Sequence, residues 1–201
     1  MKVDVPFFKQ TSALNCGPCA LKMVLAYFGE DVGIDVLEER VGIKEGKGVS
    51  MIQMAIASRL FGYKTQLFST VMGFNGENKD LEFYKKYVDD NSESEEVVSR
   101  AKELGVELVE KGLGSDEILG FVGKDSLPIV LVDWNVFVGK KEKGYQGHFV
   151  PVVGYDDENV YVHNHGMNDS KESMAIKKDV FDEARKAQGT DEDVLVVWGK
   201  V

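Results

Sequence analysis

The side chains able to do covalent chemistry are few in this chain, and they fall into two groups. Cys16 and Cys19 share the tetrapeptide Cys16-Gly17-Pro18-Cys19, and the three histidines are His148, His163 and His165. A cysteine that attacks a carbonyl needs a lowered pKa, a base to take its proton and donors for the oxyanion that forms. A place at a helix mouth would lower the pKa of Cys16 through the dipole and the free N–H groups there. His148, right after Gly147 at the start of an apolar run, is the candidate base. Asn164 lies sixteen residues further on and could accept the second ring N–H and fix the tautomer. Gln10, six residues before Cys16, could aim its side-chain NH₂ beside the Cys16 backbone N–H, and the two donors would form an oxyanion hole. The chemistry would be acyl transfer through a thioester, with no cofactor and no metal required.

Two other chemistries compete for the same residues. Cys16-Gly17-Pro18-Cys19 matches a thiol–disulfide redox motif, in which Cys19 would resolve a mixed disulfide one turn on. That motif normally follows a buried strand, and Lys9–Asn15 does not read as one, so the tetrapeptide alone is weak. His163-x-His165 places two rings on one face of a strand, and with His148 and Cys16 would offer a zinc site. Strand parity decides between metal and acyl transfer. An odd turn, Asp156–Glu158 with Tyr155 opposite Asn159, puts His148 and Asn164 on one face; an even turn puts His148 with His163 and His165. Both faces are apolar, so periodicity leaves that choice open. Cys19 reads as core packing, and Trp134 as core or cleft wall.

These residues need a frame. Ala20–Phe28 is apolar all round except at Lys22, the pattern of a buried helix. Pro18 is expected at its first position and Gly29 at its end. Amphipathic helices are expected at Ile34–Val41 and at Ser50–Leu60, the latter capped by Ser50. Strands are expected at Tyr63–Phe68, Val106–Val109, Leu127–Trp134, His148–Tyr155, Asn159–Asn164 and Val194–Trp198. Charged helices are expected at Asp80–Val88, Ser94–Leu104, Ser115–Val122 and Asp179–Gln188. Helices come first and strands later, which predicts an α+β fold rather than alternating βαβ units.

Composition narrows the classes. The 201 residues suit one domain, 1–201, and the net charge of −10 comes from 24 basic against 34 acidic side chains. Residues 71–125 hold 14 Asp and Glu against 7 Lys and Arg, and read as an acidic, mostly helical insertion. No basic cluster exists to grip phosphates, so nucleic acid is not expected as a partner. No apolar run is long enough to span a membrane and no secretory leader is visible, so the expectation is a cytoplasmic protein that makes no membrane contact. Two cysteines cannot build a disulfide framework.

Taken in order, Gln10…Cys16-Gly17-Pro18…Met23…Tyr27-Phe28-Gly29, then Gly147-His148-Phe149-Val150-Pro151-Val152-Val153-Gly154-Tyr155, then Val160-Tyr161-Val162-His163-Asn164, resemble the C39-like branch of papain-fold cysteine peptidases. The resemblance runs from the N-terminus to the closing strand, apart from the acidic insertion. It implies a papain-like fold, with a central buried helix carrying the cysteine packed on an antiparallel sheet. It also implies Cys16 as nucleophile, His148 as general base and acid, Asn164 as orienting residue and Gln10 as oxyanion donor. The substrate implied is a peptide or protein, and the acidic insertion would favour a basic one. Two positions depart from the family pattern: Asn164-His165 stands where Asp-Pro is common, and Cys19 where a small residue is usual. A papain-fold scaffold that binds a peptide without cleaving it is the non-enzymatic alternative.

Overall fold

In a computed structural model that describes residues 1–200, the first helix, α1 (Cys16–Tyr27), is driven inward by its own composition. Gly17 to Leu21 and Met23 to Leu25 are all buried. The helix begins at Cys16 rather than at Pro18. Pro18 is therefore its third residue, still within the first turn, where a missing N–H leaves no hydrogen bond unmade. Gly29 (φ +87°) takes the left-handed conformation that ends the helix, and the N–H of Glu30 donates to Leu25 O at 3.0 Å. Gly17 answers a different demand. A Cβ there would lie 2.6 Å from Val49 Cγ2 and 2.8 Å from Met54 Sδ, so a bare backbone lets the helix start press against its neighbours.

Helices α2 (Ile34–Val41) and α3 (Met51–Leu60) pack beside α1. Ser50 caps α3 in a reciprocal box, with Ser50 N donating to Gln53 Oε1 at 2.9 Å and Gln53 N donating to Ser50 Oγ at 3.4 Å. Beside them stands a seven-stranded sheet of β1 (Tyr63–Ser69), β2 (Glu107–Glu110), β3 (Ser126–Asp133), β4 (Gly147–Tyr155), β5 (Asn159–Asn164), β6 (Lys171–Lys177) and β7 (Val194–Lys200). Its order is β2-β1-β7-β3-β4-β5-β6, antiparallel except for the β1–β2 pair. The fold is α+β, with α1 laid against β4.

Prolines inside a sheet must sit where a ladder bond is absent. Pro128 pairs with Val196 on β7 but precedes the first β3–β4 partner, Ile129. Pro151 pairs with Ile129 on β3 and lies outside the β4–β5 register, which begins at Val152.

The segment 71–125 forms α4 (Glu82–Tyr87), α5 (Glu95–Glu103), β2 and α6 (Ser115–Gly120). It is tied into the rest of the molecule. β2 extends the sheet edge, and Ala101, Val106, Leu113, Ile118, Leu119 and Val122 join the common core. Two elements differ from expectation. Trp134 starts a short helix, α7 (Trp134–Phe137), because Asp133 caps it through Oδ1, which accepts from Asn135 N at 2.9 Å. β6 has no counterpart in the sequence reading; it is an edge strand whose one buried residue is Ile176, so solvent leaves it little apolar alternation. Helix α8 (Lys178–Arg185) follows it. Among the described residues no helix is long and apolar enough to cross a membrane.

Candidate active site

Cys16 opens α1 and lines a cavity of about 450 Å³, with His148, Phe149, Gln10 and Asn164 on the same wall. A lowered thiol pKa was the expectation, and the structure reverses it. Burial pushes the Cys16 thiol up, and the opposing hydrogen bonds from the backbone of Phe149, Gly17 and Cys16 itself are smaller. Desolvation at this half-buried residue outweighs the helix mouth. Cys19 is buried one turn on, its S–H directed to Phe8 O at 3.4 Å and its pKa pushed up to about 12 by burial, and both cysteines are free. The chain before α1 is irregular rather than a buried strand, which removes the setting of a thiol–disulfide motif.

The three histidines divide by partner. His163 points away from the cavity: its Nε2 lies 2.9 Å from Val5 O, and its Nδ1 accepts from Ser173 N at 3.1 Å. His165 is fully buried, with Nε2 2.9 Å from Cys16 O and Nδ1 3.2 Å from His163 O. His148 is 9% exposed and its ring lies between Trp134 (centroids 5.1 Å) and His165 (5.0 Å). Its Nε2 is buried and has no partner. Burial, and then the neighbouring His165, hold His148 well below the usual imidazole range; burial also lowers His163 and His165. His148 is therefore a free base at pH 7, whereas the His165 ring faces two carbonyl oxygens, to both of which only its protonated form could donate. Among the described residues no group of three His, Cys, Asp or Glu is arranged to hold a metal ion.

The parity question resolves in an unexpected way. Tyr155 pairs with Val160, not Asn159, so residues 156–159 form an even connection. That alone would have set His148 with His163 and His165. A bulge at Val153 restores the other register, because Val152 pairs with Val162 while Gly154 pairs with Tyr161. His148 and Asn164 thus share a face. The ring of His165 still reaches His148, because β5 ends at Asn164.

The remaining sequence-selected residues are near but otherwise engaged. Asn164 Nδ2 donates to Asp169 O, and Asn164 Oδ1 accepts from Gly166 N at 3.1 Å, so neither group meets His148. Gln10 Nε2 donates to Ser12 O at 2.9 Å, and its Oε1 is buried without a partner. Two residues hold this corner together: His165, which the sequence offered as a metal ligand, and Asn15, to which it gave no role. His165 accepts the Gln10 N–H on its backbone oxygen at 2.9 Å while its ring contacts Cys16 O, so one residue ties Gln10 to Cys16. Asn15, fully buried, donates to Thr11 Oγ1 at 2.8 Å and Glu38 Oε1 at 2.6 Å and accepts from Ser12 N at 3.1 Å, which fixes the loop before α1. The polar residue directly before Cys16 was the one available signal for Asn15.

The opposite wall comes largely from the acidic segment and from residues 145–147. Phe83, Tyr84, Tyr87 and Tyr145 form a ring cluster, with Phe83–Tyr145 and Phe83–Tyr87 centroids both at 5.3 Å. Glu93 and Asp193 also line the cavity. Burial, and then the charge of Asp191, push Glu93 up to about 7, and burial, with Glu93 and Asp191 beside it, pushes Asp193 well above the carboxylate range.

Comparison with known proteins separates fold from sequence kinship. The fold is that of C39 peptidase domains. A C39-like peptidase from Bacillus anthracis superposes with a TM-score of 0.63 at 14% identity, covering 100% of this chain and 98% of that one. The peptidase domain of Streptococcus ComA, a bifunctional ABC transporter of a quorum-sensing pathway, gives 0.55 at 14% identity, over 98% and 100%. A double glycine motif protease from an AMS/PCAT transporter, in complex with its leader peptide, gives 0.55 at 16% identity, over 99% and 94%. The resemblance read from the sequence therefore holds for the fold. Kinship by sequence points elsewhere: Guanylyl cyclase 1 of Arabidopsis thaliana is 24% identical over 209 residues, spanning 97% of this chain and 76% of that protein. A family model described as guanylylate cyclase matches residues 5–197, and the chain belongs to that family.

Proposed function

We propose that the protein is a thiol acyl-transfer enzyme that hydrolyses a peptide or isopeptide bond. The observation that carries this reading is that Cys16 and a neutral His148 face one cavity from adjacent elements, with the Cys16 sulfur against the backbone of Phe149, the residue after His148. The resting pair is a thiol and a free imidazole, so attack and proton transfer go together. The sulfur bonds to the carbonyl carbon as its proton passes to His148, and the oxyanion takes the Cys16 N–H and the second N–H of the Gln10 amide. The C–N bond then breaks, and the proton held by His148 leaves with the amine. Water attacks the thioester, giving one proton to His148, which returns it to the departing sulfur. In this reading Asn164 turns its Oδ1 from Gly166 toward the ring when substrate fills the cavity.

The test uses N-acetyl amino acid p-nitrophenyl esters, with intact-mass detection after an acid quench. A hydroxylamine-labile acyl group should appear on Cys16 and be absent from Cys16→Ala. Acylation that proceeds at the same rate in His148→Ala would sink the reading.

A nucleotide cyclase reading rests on the family match. It needs a 3′-hydroxyl to attack the α-phosphorus of GTP while pyrophosphate leaves. The triphosphate would meet Glu93, Asp169 and Asp193 in this cavity and no lysine or arginine on its lining, so it would have to arrive with its own divalent cations. Cyclic GMP formed from GTP with Mg²⁺ or Mn²⁺, and lost in a cavity variant such as Glu93→Gln, would establish it in place of acyl transfer.

A further inference from the structure

Glu93 and Asp193 present an unsettled electrostatic account. Asp193 is only 8% exposed and Glu93 half-buried, and the Ser69 hydroxyl beside Asp193 donates to Val71 O at 2.8 Å. Neither acid takes part in a salt bridge among the described residues. The cations nearby are engaged elsewhere. Arg185 pairs with Asp182 and Glu192, Lys44 with Asp89, and Lys47 donates to Val88 O at 2.8 Å. The third acid of the group, Asp191, is satisfied by the amides of Asn75 (2.7 Å) and Asn78 (2.9 Å). Carboxyl groups withdrawn from water without a counter-charge destabilise a fold. These two also border the open cavity rather than closed core.

The walls around them match the same kind of guest. Ring faces attract cations, more strongly where water is excluded. Tyr87 already carries the Lys86 ammonium 5.0 Å from its ring centroid, which shows one of these faces in that use. Tyr145 is aimed inward, its hydroxyl 2.7 Å from where a Gly147 Cβ would stand, so Gly147 leaves the ring its space. On the far side the cavity reaches Cys16 and the unpartnered Nε2 of His148.

We propose that this half of the cavity is a specificity pocket for a basic side chain, lysine or arginine, of the substrate. Its stem lies between Phe83, Tyr145 and Trp134, and its charged end pairs with Glu93 and Asp193. The proposal rests on the acyl-transfer reading for what Cys16 does to the bound chain, but the pocket can be tested without it.

Binding is measured on Cys16→Ala, in which no acylation occurs, through the fluorescence of Trp134 in the cavity wall. N-acetyl-arginine amide and N-acetyl-lysine amide should bind saturably, at least tenfold tighter than N-acetyl-norleucine amide. Glu93→Gln, and separately Asp193→Asn, should each weaken the arginine compound about tenfold and leave norleucine unchanged. On the native protein, arginyl and lysyl p-nitrophenyl esters should acylate Cys16 about tenfold faster than the norleucyl ester. The two readings fail separately. Tight arginine binding with no thioester on the native protein keeps the pocket and removes acyl transfer; a Cys16 thioester with norleucine equal to arginine removes the pocket alone. A fluorescence response to Mg²⁺–GTP with none to either basic amide would also overturn the pocket. Should Asp193→Asn fail to fold, the norleucine comparison on unaltered residues still decides.

Discussion

The two walls of the cavity treat buried titratable groups in opposite ways. On the thiol wall, His148 Nε2 and Gln10 Oε1 are buried without partners, while the His165 ring behind them lies against two carbonyl oxygens, Cys16 O and His163 O. On the acidic wall, Glu93 and Asp193 have neighbours of their own sign and no cation. Among the described residues, the first wall leaves a base and an amide oxygen without partners, and the second leaves carboxyls without a counter-charge. A group whose neighbours satisfy it serves as framework, whereas one left unsatisfied at a cavity edge marks where a substrate makes its contacts.

The largest expected effect breaks the thiol wall. His148→Ala should slow acylation of Cys16 by roughly 10²–10⁴-fold, as expected for loss of a general base, in stopped-flow traces with an activated ester. Because burial lowers the pKa of His148, the base stays neutral into mildly acidic solution. The acid limb of the acylation–pH profile should then fall below the ordinary value of 6.5, and a limb centred at 6.5 or higher would contradict the burial argument.

A smaller effect tests whether His165 is framework or chemistry. His165→Leu removes the ring contact to Cys16 O and the neighbour of His148, while the backbone bond to Gln10 remains. A buried hydrogen bond lost costs about 1–3 kcal/mol, so the melting temperature should drop. Since His165 is the second cause of the low His148 pKa, the acid limb should also move up. A drop in stability with no movement of the limb assigns His165 to packing alone.

Stability against pH distinguishes the walls directly. The histidines have folded pKa values below 6.5, so the folded state holds fewer protons than the unfolded chain, and stability declines as pH falls below about 6.5. Glu93 moves the other way, from 4.5 to about 7, so its share of stability is present below 4.5 and is lost as pH rises to about 7. Glu93→Gln should raise the melting temperature at pH 8 by roughly 3–6 °C, with the gain shrinking toward pH 4.5.

The smallest effect concerns the helix start. Gly17→Ala gains about 1 kcal/mol of helix propensity but crowds Val49, and overpacking costs about 1–3 kcal/mol. A net loss of one or two degrees in melting temperature is expected, with a larger loss of Cys16 acylation rate. An unchanged rate would show that the close approach at Gly17 does not position the sulfur.

The same contrast explains what could be read from the residues alone. Ile34–Val41 and Asn159–Asn164 fall where periodicity set them, because their apolar positions face one continuous core. β6 escaped, since an edge strand needs almost no apolar signal. Gln10, Cys16, His148 and Asn164 do line one cavity, but the hydrogen bonds of Gln10 and Asn164 depend on Ser12, Gly166 and Asp169, which no spacing rule ranks. The raised thiol pKa was illegible for another reason: the helix mouth is local, whereas the desolvation that outweighs it comes from tertiary packing that brings residues such as Phe149, distant in sequence, against the sulfur.

The bulge at Val153 has a consequence for how this hairpin can change. Removing Val153 would leave Val152 opposite Val162 and Gly154 opposite Tyr161, so His148 and Asn164 would still share a face; what β4 would lose is the bend that an extra residue gives a strand. Shortening 156–159 with Tyr155 still opposite Val160 leaves that face unchanged as well. The tip of this hairpin can therefore vary in length while the face that carries His148 and Asn164 stays fixed.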